Sequence, residues 1–467
     1  MNGGEGATMD RTTGLTTYSP APSATATSQA LLFDVSGAPH LFVVNGSRVY
    51  GLCDDAAAST HSAISAGGDA GVDALLTSLG LSAPSFVDDA APREFPVRAI
   101  SLAVAQKCNL GCTYCYAEGG SFGGARKNMP DHVAAEAVRR LIDEAAPGER
   151  VNIAFLGGEP LANRATLVAA TEFAVERAAA RNVSVGFSIT TNGTLVTPDD
   201  GAFFERHGFA VTVSIDGIGE SHDRLRPFKG ARGSFKRIVE RVRPLLAMQR
   251  RMQISARVTV TPQNLRLRET LDGLIDLGFH SVGFSPMLSS PTGRDQMSPA
   301  DLQEMLAQMI DCGRAFEAHL SAGRRYPFSN MTGAMREIHK GTHRPYPCGA
   351  GGPYLGVSAE GDFFACHRFV GDKVGAMGDV VNGIDRERQR DWLQKRHVHF
   401  QEPCSGCWAR YLCGGGCHHE VIHRGRPACD YIRGWLHYCL QAYVRLLDAR
   451  PEFFETSRAE MGTMAAS

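Results

Sequence analysis

The run Lys107-Cys108-Asn109-Leu110-Gly111-Cys112-Thr113-Tyr114-Cys115-Tyr116 places three thiols at the spacing Cys-x3-Cys-x2-Cys. Cysteine thiolates are the usual ligands of iron–sulfur cubes, so three on one short loop can hold three irons of a [4Fe–4S] cluster. The fourth iron then has no protein ligand and is free to take a small molecule. A zinc knuckle is the rival reading, but a structural zinc needs a fourth Cys or His close by. The sequence offers none after Cys115 until His132.

A second set of thiols lies near the C-terminus. Cys348 precedes Gly361-x4-Cys366, and Cys404-x2-Cys407-x5-Cys413-x3-Cys417 is followed by Cys429. A zinc ribbon explains Cys404, Cys407 and one further pair, but not easily seven cysteines in this order. Cys439, beside Trp435 and Tyr438, is a rival ligand whose setting suits packing better. Cys53 and Cys312 read as buried bystanders, the commonest fate of a free cysteine.

Three short motifs lie between the two cysteine sets. Gly157-Gly158-Glu159-Pro160, Thr190-Thr191-Asn192-Gly193 and Ser214-Ile215-Asp216-Gly217 each follow an apolar run. Taken singly they are ordinary turns. The charged run His222-Asp223-Arg224-Leu225-Arg226-Pro227-Phe228 reads either as a solvated loop or as a lid on the substrate side.

The elements that must position these groups follow from periodicity. Strands are expected at Arg98–Ala105, Val151–Leu156, Val183–Thr190, Ala210–Ile215, Gln253–Val260 and His280–Ser285. Amphipathic stretches Asp131–Glu144, Ala165–Ala180, Phe235–Met248 and Leu267–Leu277 lie between them. Six strand–helix alternations predict an α/β fold, a parallel sheet closed partly or wholly into a (β/α)6 barrel. Reacting groups in such barrels sit at the C-terminal ends of strands. Cys108 and Gly157 fall there, after the first and second strands.

Residues 1–28 are Ser/Thr/Ala/Gly-rich and are expected to be disordered. Residues 29–97 read as an accessory module, a candidate peptide binder, with paired strands at Leu31–Val35 and His40–Val44 and an Ala/Gly-rich loop. The barrel spans 98–345, a loop-rich cysteine domain 346–440, and a helix end with a polar tail 441–467; the final helix is expected over Ile432–Leu447. With 467 residues and a net charge of −1, nothing favours nucleic acid or an anionic membrane. No apolar run is long enough to span a bilayer. Thirteen cysteines without an export signal point to metal ligation in a reducing cytoplasm.

Taken together, the Cys108–Cys115 motif, the Gly157–Pro160 motif after the second strand and the C-terminal cysteines resemble the radical S-adenosylmethionine (SAM) enzymes with a SPASM extension, over residues 98–440. The resemblance implies three [4Fe–4S] clusters and SAM. Cys108, Cys112 and Cys115 would hold the SAM-binding cluster, and Tyr114 is the aromatic that packs over adenine. Gly157, Gly158 and Glu159 would take the SAM ammonium, and Asn192, Ser214 and Asp216 its ribose and carboxylate, or substrate. Cys348, Cys366 and Cys417 map to auxiliary cluster I; Cys404, Cys407, Cys413 and Cys429 map to cluster II. Residues 349–365 lack the extra cysteine of some SPASM proteins, which leaves an iron of cluster I open to a substrate thiolate.

Within that family, Ser101–Cys108, Ala365–Phe369 and Cys429–Leu436 look most like the maturases of the quinohemoprotein amine dehydrogenase small subunit and their relatives. Those enzymes join a Cys sulfur to a carbon of Asp or Glu within a peptide. The resemblance therefore implies a peptide or small-protein substrate, a 5′-deoxyadenosyl radical, and an electron donor such as flavodoxin or ferredoxin. His367 is the candidate to take the thiol proton. The anaerobic sulfatase-maturing branch carries Asp at that position, which weakens that alternative. Carbon–carbon crosslinking and a non-catalytic, metal-stabilised binding protein are the other readings.

Overall fold

The computed structural model describes residues 25–89 and 95–455. Most of the segment expected to be disordered, residues 1–24, lies outside them. Ser28, still within that expected range, is tied to Asp69 by its amide at 2.9 Å and its hydroxyl at 2.6 Å.

Strands β1 (Ala30–Val35), β2 (Ala38–Val43) and β3 (Arg48–Gly51) form an antiparallel sheet in that order. Its first hairpin turns on Ser36 and Gly37, both at positive φ, which matches the twist of a two-residue connection. Where a loop is expected, helix α1 (Asp54–Ser78) is found. Its alanines favour helix, and Ile64, Val72 and Leu76 give it an apolar face against Ala30, Leu41 and Val43. The glycines express themselves only as a break at Gly68 (φ 54°, ψ −142°).

The main unit runs β4 (Ala99–Gln106), β5 (Lys127–Asn128), α2 (Asp131–Asp143), β6 (Arg150–Gly157), α3 (Arg164–Arg181), β7 (Ser184–Thr191), α4 (Pro198–His207), β8 (Ala210–Ser214), α5 (Glu220–Leu225), α6 (Phe235–Met248), β9 (Gln253–Val260), α7 (Leu267–Asp276) and β10 (Ser281–Pro286). Six strands, β4-β6-β7-β8-β9-β10, pair in parallel in that order. The expected barrel alternation is present, with every strand within two residues of its expected bounds.

Alternation along β9 shows how the sheet is dressed. Ile254, Ala256, Val258 and Val260 are buried on one face, whereas Gln253, Ser255, Arg257 and Thr259 are partly or fully exposed on the other. A parallel sheet is normally covered on both faces. The polar second face here borders the barrel interior.

Helices α8 (Pro299–Ser321) and α9 (Ser329–His339) follow, and Phe328 bridges to Val282 at the edge of β10. Next, β11 (Tyr354–Val357) pairs in parallel with β4, on the edge away from β6. Strands β12 (Asp362–Phe364), β13 (Ala376–Asp379) and β14 (Gly383–Ile384) extend it antiparallel. The 346–440 region is thus continuous with the barrel sheet rather than all loops. Helices α10 (Arg386–Arg396), α11 (Arg410–Cys413), α12 (His418–Arg424) and α13 (Cys429–Ala449) complete the chain. Among the described residues no helix is long and apolar enough to cross a membrane.

Candidate active site

The cysteine loop leaves β4 and is braced by the segment after α5. Gly111 N–H donates to Pro227 O (2.8 Å), Thr113 N–H to Leu225 O (3.1 Å), and Lys229 Nζ to Cys108 O (2.7 Å). The charged run 222–228 is therefore not a solvated loop: its end runs along the cysteine loop as a rail. Its arginine goes inward: Arg226 Nη1 donates to Tyr114 Oη at 2.7 Å and lies 3.6 Å from Asp216, which also receives the Tyr114 hydroxyl proton. Asp216 is wholly buried and further accepts Thr259 N–H at 2.9 Å. Arg226 Nε is buried with no partner. Tyr114 thus anchors the loop from beneath, its ring buried and its hydroxyl spent on Asp216.

His222 holds this corner in place. Its Nδ1 accepts the Asp216 amide at 3.1 Å, so Nε2 carries the proton toward Ser234 Oγ, 2.9 Å away. Burial, with the Arg226 charge second, lowers its pKa to about 3, so it is neutral at pH 7.

At the end of β6, Gly157 adopts φ 140°, and a Cβ there would sit 2.4 Å from Ala105 O. A Cβ on Gly158 would meet Lys107 O at 2.5 Å and Gly120 Cα at 2.7 Å. Only glycines let the motif lie directly against the cysteine loop. Glu159 is fully buried; its carboxylate accepts Leu161 N–H (3.1 Å), Thr191 Oγ1–H (2.8 Å) and Asn192 N–H (2.7 Å). Burial raises its pKa against these three bonds. Asn192 in turn donates from Nδ2 to Asn109 Oδ1 (2.9 Å) and approaches Cys108 Sγ at 3.6 Å. Ser214, the last residue of β8, is half-buried at the same rim.

Burial chiefly raises the pKa of Cys108 and Cys112, the latter to about 12; Glu159 and then Cys115 add to the rise at Cys108, while at Cys112 Arg226 opposes it and Cys115 and Cys108 add to it. Crowded, buried thiols that oppose one another's ionisation are held as thiolates by a metal. The donor set therefore fits the cluster expected on this loop.

The other thiols gather into two groups. Cys366 is buried and Cys348 exposed; desolvation raises the pKa of both thiols, and the thiol of Cys417 adds to both. Cys404, Cys407, Cys413 and Cys429 form the second group, in which Cys404, Cys413 and Cys429 are raised by burial and then by one another or Cys407. A cavity of about 230 Å³ touches Cys404, Cys407, Cys413, Cys417 and Cys429. Cys439 is fully buried, electrostatically coupled to Glu317 rather than to either group. Cys312 is buried as expected, but Cys53, expected to be buried, is exposed just before α1.

Between the first loop and the Cys348/Cys366/Cys417 group runs a wall of side chains. Arg368 Nη1 donates to Glu420 at 2.7 Å and lies 3.7 Å from Cys417 Sγ, and its guanidinium sits 5.5 Å from the Tyr116 ring centre. Tyr354 Oη gives its proton to Ser101 Oγ (2.8 Å) and therefore accepts from His367 Nδ1–H (2.9 Å). His367 Nε2 is left as the acceptor. Burial and the Arg368 charge lower its pKa to about 4. A cavity of about 470 Å³ opens here, lined by Tyr116, Glu118, Phe122, Arg368, His419 and His423 among others.

Residues 102–272 match the Radical SAM superfamily. The chain contains a radical SAM domain. A cysteine-type anaerobic sulfatase-maturating enzyme of Clostridium novyi is 36% identical over 30% of this chain and 37% of its own length. A serine-type enzyme of Klebsiella aerogenes is 24% identical over 72% of this chain and 84% of its own. The solved structure of native anSMEcpe with bound AdoMet shares the fold, with a TM-score of 0.62 and 20% identity over 75% of this chain and 98% of that one.

Sequence reasoning missed three parts of the radical SAM domain's rim. Arg226 is hidden in a run whose charges look solvated. Gly120 matters only through its approach to Gly158, which no local pattern reveals. Tyr354, from β11, reaches the site because that strand joins β4.

Proposed function

We propose that this chain is a radical SAM peptide maturase whose substrate lies between the Cys108/Cys112/Cys115 loop and the Cys348/Cys366/Cys417 group. The observation that carries this reading is the cavity touching both Tyr116, next to Cys115, and Arg368, beside Cys417. Cys108, Cys112 and Cys115 would hold one [4Fe–4S] cluster, and the two later cysteine groups would hold auxiliary clusters I and II. When bound, the cluster supplies the electron that cleaves SAM to methionine and a 5′-deoxyadenosyl radical.

The residues of this chain bind, orient and move protons. Gly157 and Gly158 admit the methionine end of SAM, while Glu159 fixes the Asn192 backbone beside it. Arg226, tied to Tyr114 and Asp216, holds the cysteine loop in place, and Ser214 would meet the SAM carboxylate. Positioning the target C–H against the radical is the main catalytic task, and water has to be kept from it. His367, neutral with Nε2 free, is the base for a substrate thiol proton.

The preferred product is a thioether between a Cys sulfur and a carbon of Asp or Glu. One hydrogen atom leaves the carbon to form 5′-deoxyadenosine, the thiol proton goes to His367, and one electron remains for an auxiliary acceptor. Oxidation of a Cys or Ser in a sulfatase-like peptide is the second reading, favoured by the named relatives, with His367 as a rival feature where that branch carries Asp. Peptides bearing Cys and Asp or Glu, incubated anaerobically with SAM and dithionite, separate the two. A product that has lost two hydrogens and no longer reacts with iodoacetamide supports the thioether; an aldehyde supports the second. Neither product from any peptide, with SAM still cleaved, overturns peptide maturation.

A further inference from the structure

Arg257 is a cation in the barrel interior for which the protein supplies no counter-ion. It lies on the interior face of β9, in register with Ser214 of β8 and Gly283 of β10. Ser214 ends its strand, so Arg257 stands at the C-terminal rim, one strand from the Asp216–Arg226 corner. Its side chain is exposed to solvent although its strand is flanked by β8 and β10, as expected for a group projecting into the barrel opening.

The neighbours have the shape of a receptor for an anion. A Cβ on Gly283 would come within 3.2 Å of Arg257 Nη1 and 2.5 Å of Ser329 Oγ. Glycine is therefore what lets the guanidinium lie across β10 toward Ser329, the first residue of α9, an 11-residue helix. The positive end of that helix dipole adds to the arginine charge. Other rim arginines are neutralised: Arg226 lies 3.6 Å from Asp216, and Arg368 lies 2.7 Å from Glu420. Among the described residues no acid or hydrogen-bond acceptor pairs with the Arg257 side chain. A solvent-facing guanidinium with no acid beside it is free to take the opposite charge from a ligand.

We propose that Arg257 is a carboxylate-binding residue of the substrate site, taking the side chain of an Asp or Glu in the peptide. The owner of the carboxylate rests on the maturase reading; the anion preference does not. A planar carboxylate suits the guanidinium fork, which offers two parallel N–H donors. An acid held there would have its methylene carbons at the rim where Ser214 ends. SAM also carries a carboxylate, and the test separates the two sources.

The probes are N-acetyl-L-aspartate N-methylamide and its glutamate homologue, against the asparagine and glutamine counterparts. Binding is read as a thermal shift of the anaerobically reconstituted protein, with and without saturating SAM. At least one acid should raise the Tm and the matching amide should not, and the shift should persist with SAM present. In Arg257→Met the acid should bind roughly ten- to a hundredfold more weakly; in Arg257→Lys part of the affinity should remain. Equal response to acid and amide, no response to either, or an undiminished response in a folded Arg257→Met overturns the proposal. A shift that vanishes when SAM is added also overturns it, and assigns Arg257 to SAM. Should Arg257→Met fail to fold, Arg257→Lys decides, since full retention of acid-over-amide preference with no loss of affinity would contradict the fork geometry. Formation of 5′-deoxyadenosine by the wild type, measured alongside, tells failure of this inference from failure of the maturase reading.

Discussion

The side-chain amide of Asn192 lies 3.6 Å from the sulfur of Cys108, across two loops that are 84 residues apart in sequence. The same residue gives its backbone N–H to Glu159 at 2.7 Å. One asparagine thereby couples the thiol loop to the glycine–glutamate motif. Hydrogen bonds to cluster sulfurs are among the determinants of reduction potential. A donor stabilises the extra negative charge of the reduced state, so Asn192→Ala should lower the potential of the cluster on this loop. Redox titration followed by electron paramagnetic resonance checks this; an unchanged potential would show that the amide does not act on the sulfur.

Glu159 should be intolerant of even an isosteric change. Glu159→Gln replaces a carboxylate oxygen by an NH2 facing donors from Leu161, Thr191 and Asn192. The unmatched donors should cost about 1–3 kcal/mol of stability, and SAM affinity should fall at least tenfold by roughly the same energy. Urea unfolding and SAM titration measure the two effects separately.

Close approach of the two loops makes a third prediction. Gly158→Ala would press a Cβ to 2.5 Å from Lys107 O and 2.7 Å from Gly120 Cα, both backbone atoms with little room to yield. Destabilisation of about 1–3 kcal/mol is expected, together with lower iron retention after reconstitution. Wild-type iron content in Gly158→Ala would show that the loops part easily.

Much of this arrangement is legible in the sequence because it is local. The thiol spacing and the strand ends are fixed by neighbouring residues, and the six parallel strands follow from their apolar runs. What is not legible depends on distant partners. Arg226 becomes a buried ion-pair member only because the 225–229 segment runs beside the cysteine loop. Likewise, β11 becomes a sheet strand only because the edge of β4 is open to it. Helix α1 is misread because Gly67, Gly68 and Gly71 suggest a loop, while the tertiary contact of Ile64, Val72 and Leu76 holds it helical.

Acid sensitivity follows from histidines buried in the neutral form. His222 is held down to about 3 and His397 to about 4, in both cases chiefly by burial. Both folded values lie below the ordinary histidine value of 6.5, so the unfolded chain binds protons first as pH falls. Their stabilising contribution is complete above about pH 6.5 and is lost as pH falls toward the folded values. From pH 7 to pH 5 the loss should be about 1–2 kcal/mol per histidine. The raised carboxyls of Glu159 and Asp216 act in the opposite sense. The histidine part is therefore read as the difference between wild type and His222→Gln in urea unfolding at the two pH values; parallel curves would contradict it.

His367 should separate proton transfer from radical generation. With its pKa near 4, it stays neutral across pH 6–8, so the product-forming rate should show no histidine titration there. His367→Gln should lower modified peptide by about a hundredfold, the scale of a lost general base, and raise the ratio of 5′-deoxyadenosine to product. Equal losses of both would place His367 in SAM cleavage instead.

The most direct measurement is 5′-deoxyadenosine formation by the anaerobically reconstituted protein with dithionite and SAM, with iron and sulfide counted on the same sample. Three cluster sites predict about twelve irons per chain, and 5′-deoxyadenosine that disappears in Cys112→Ala. One or two zinc ions and no 5′-deoxyadenosine would contradict a radical SAM enzyme and leave a metal-stabilised binding protein.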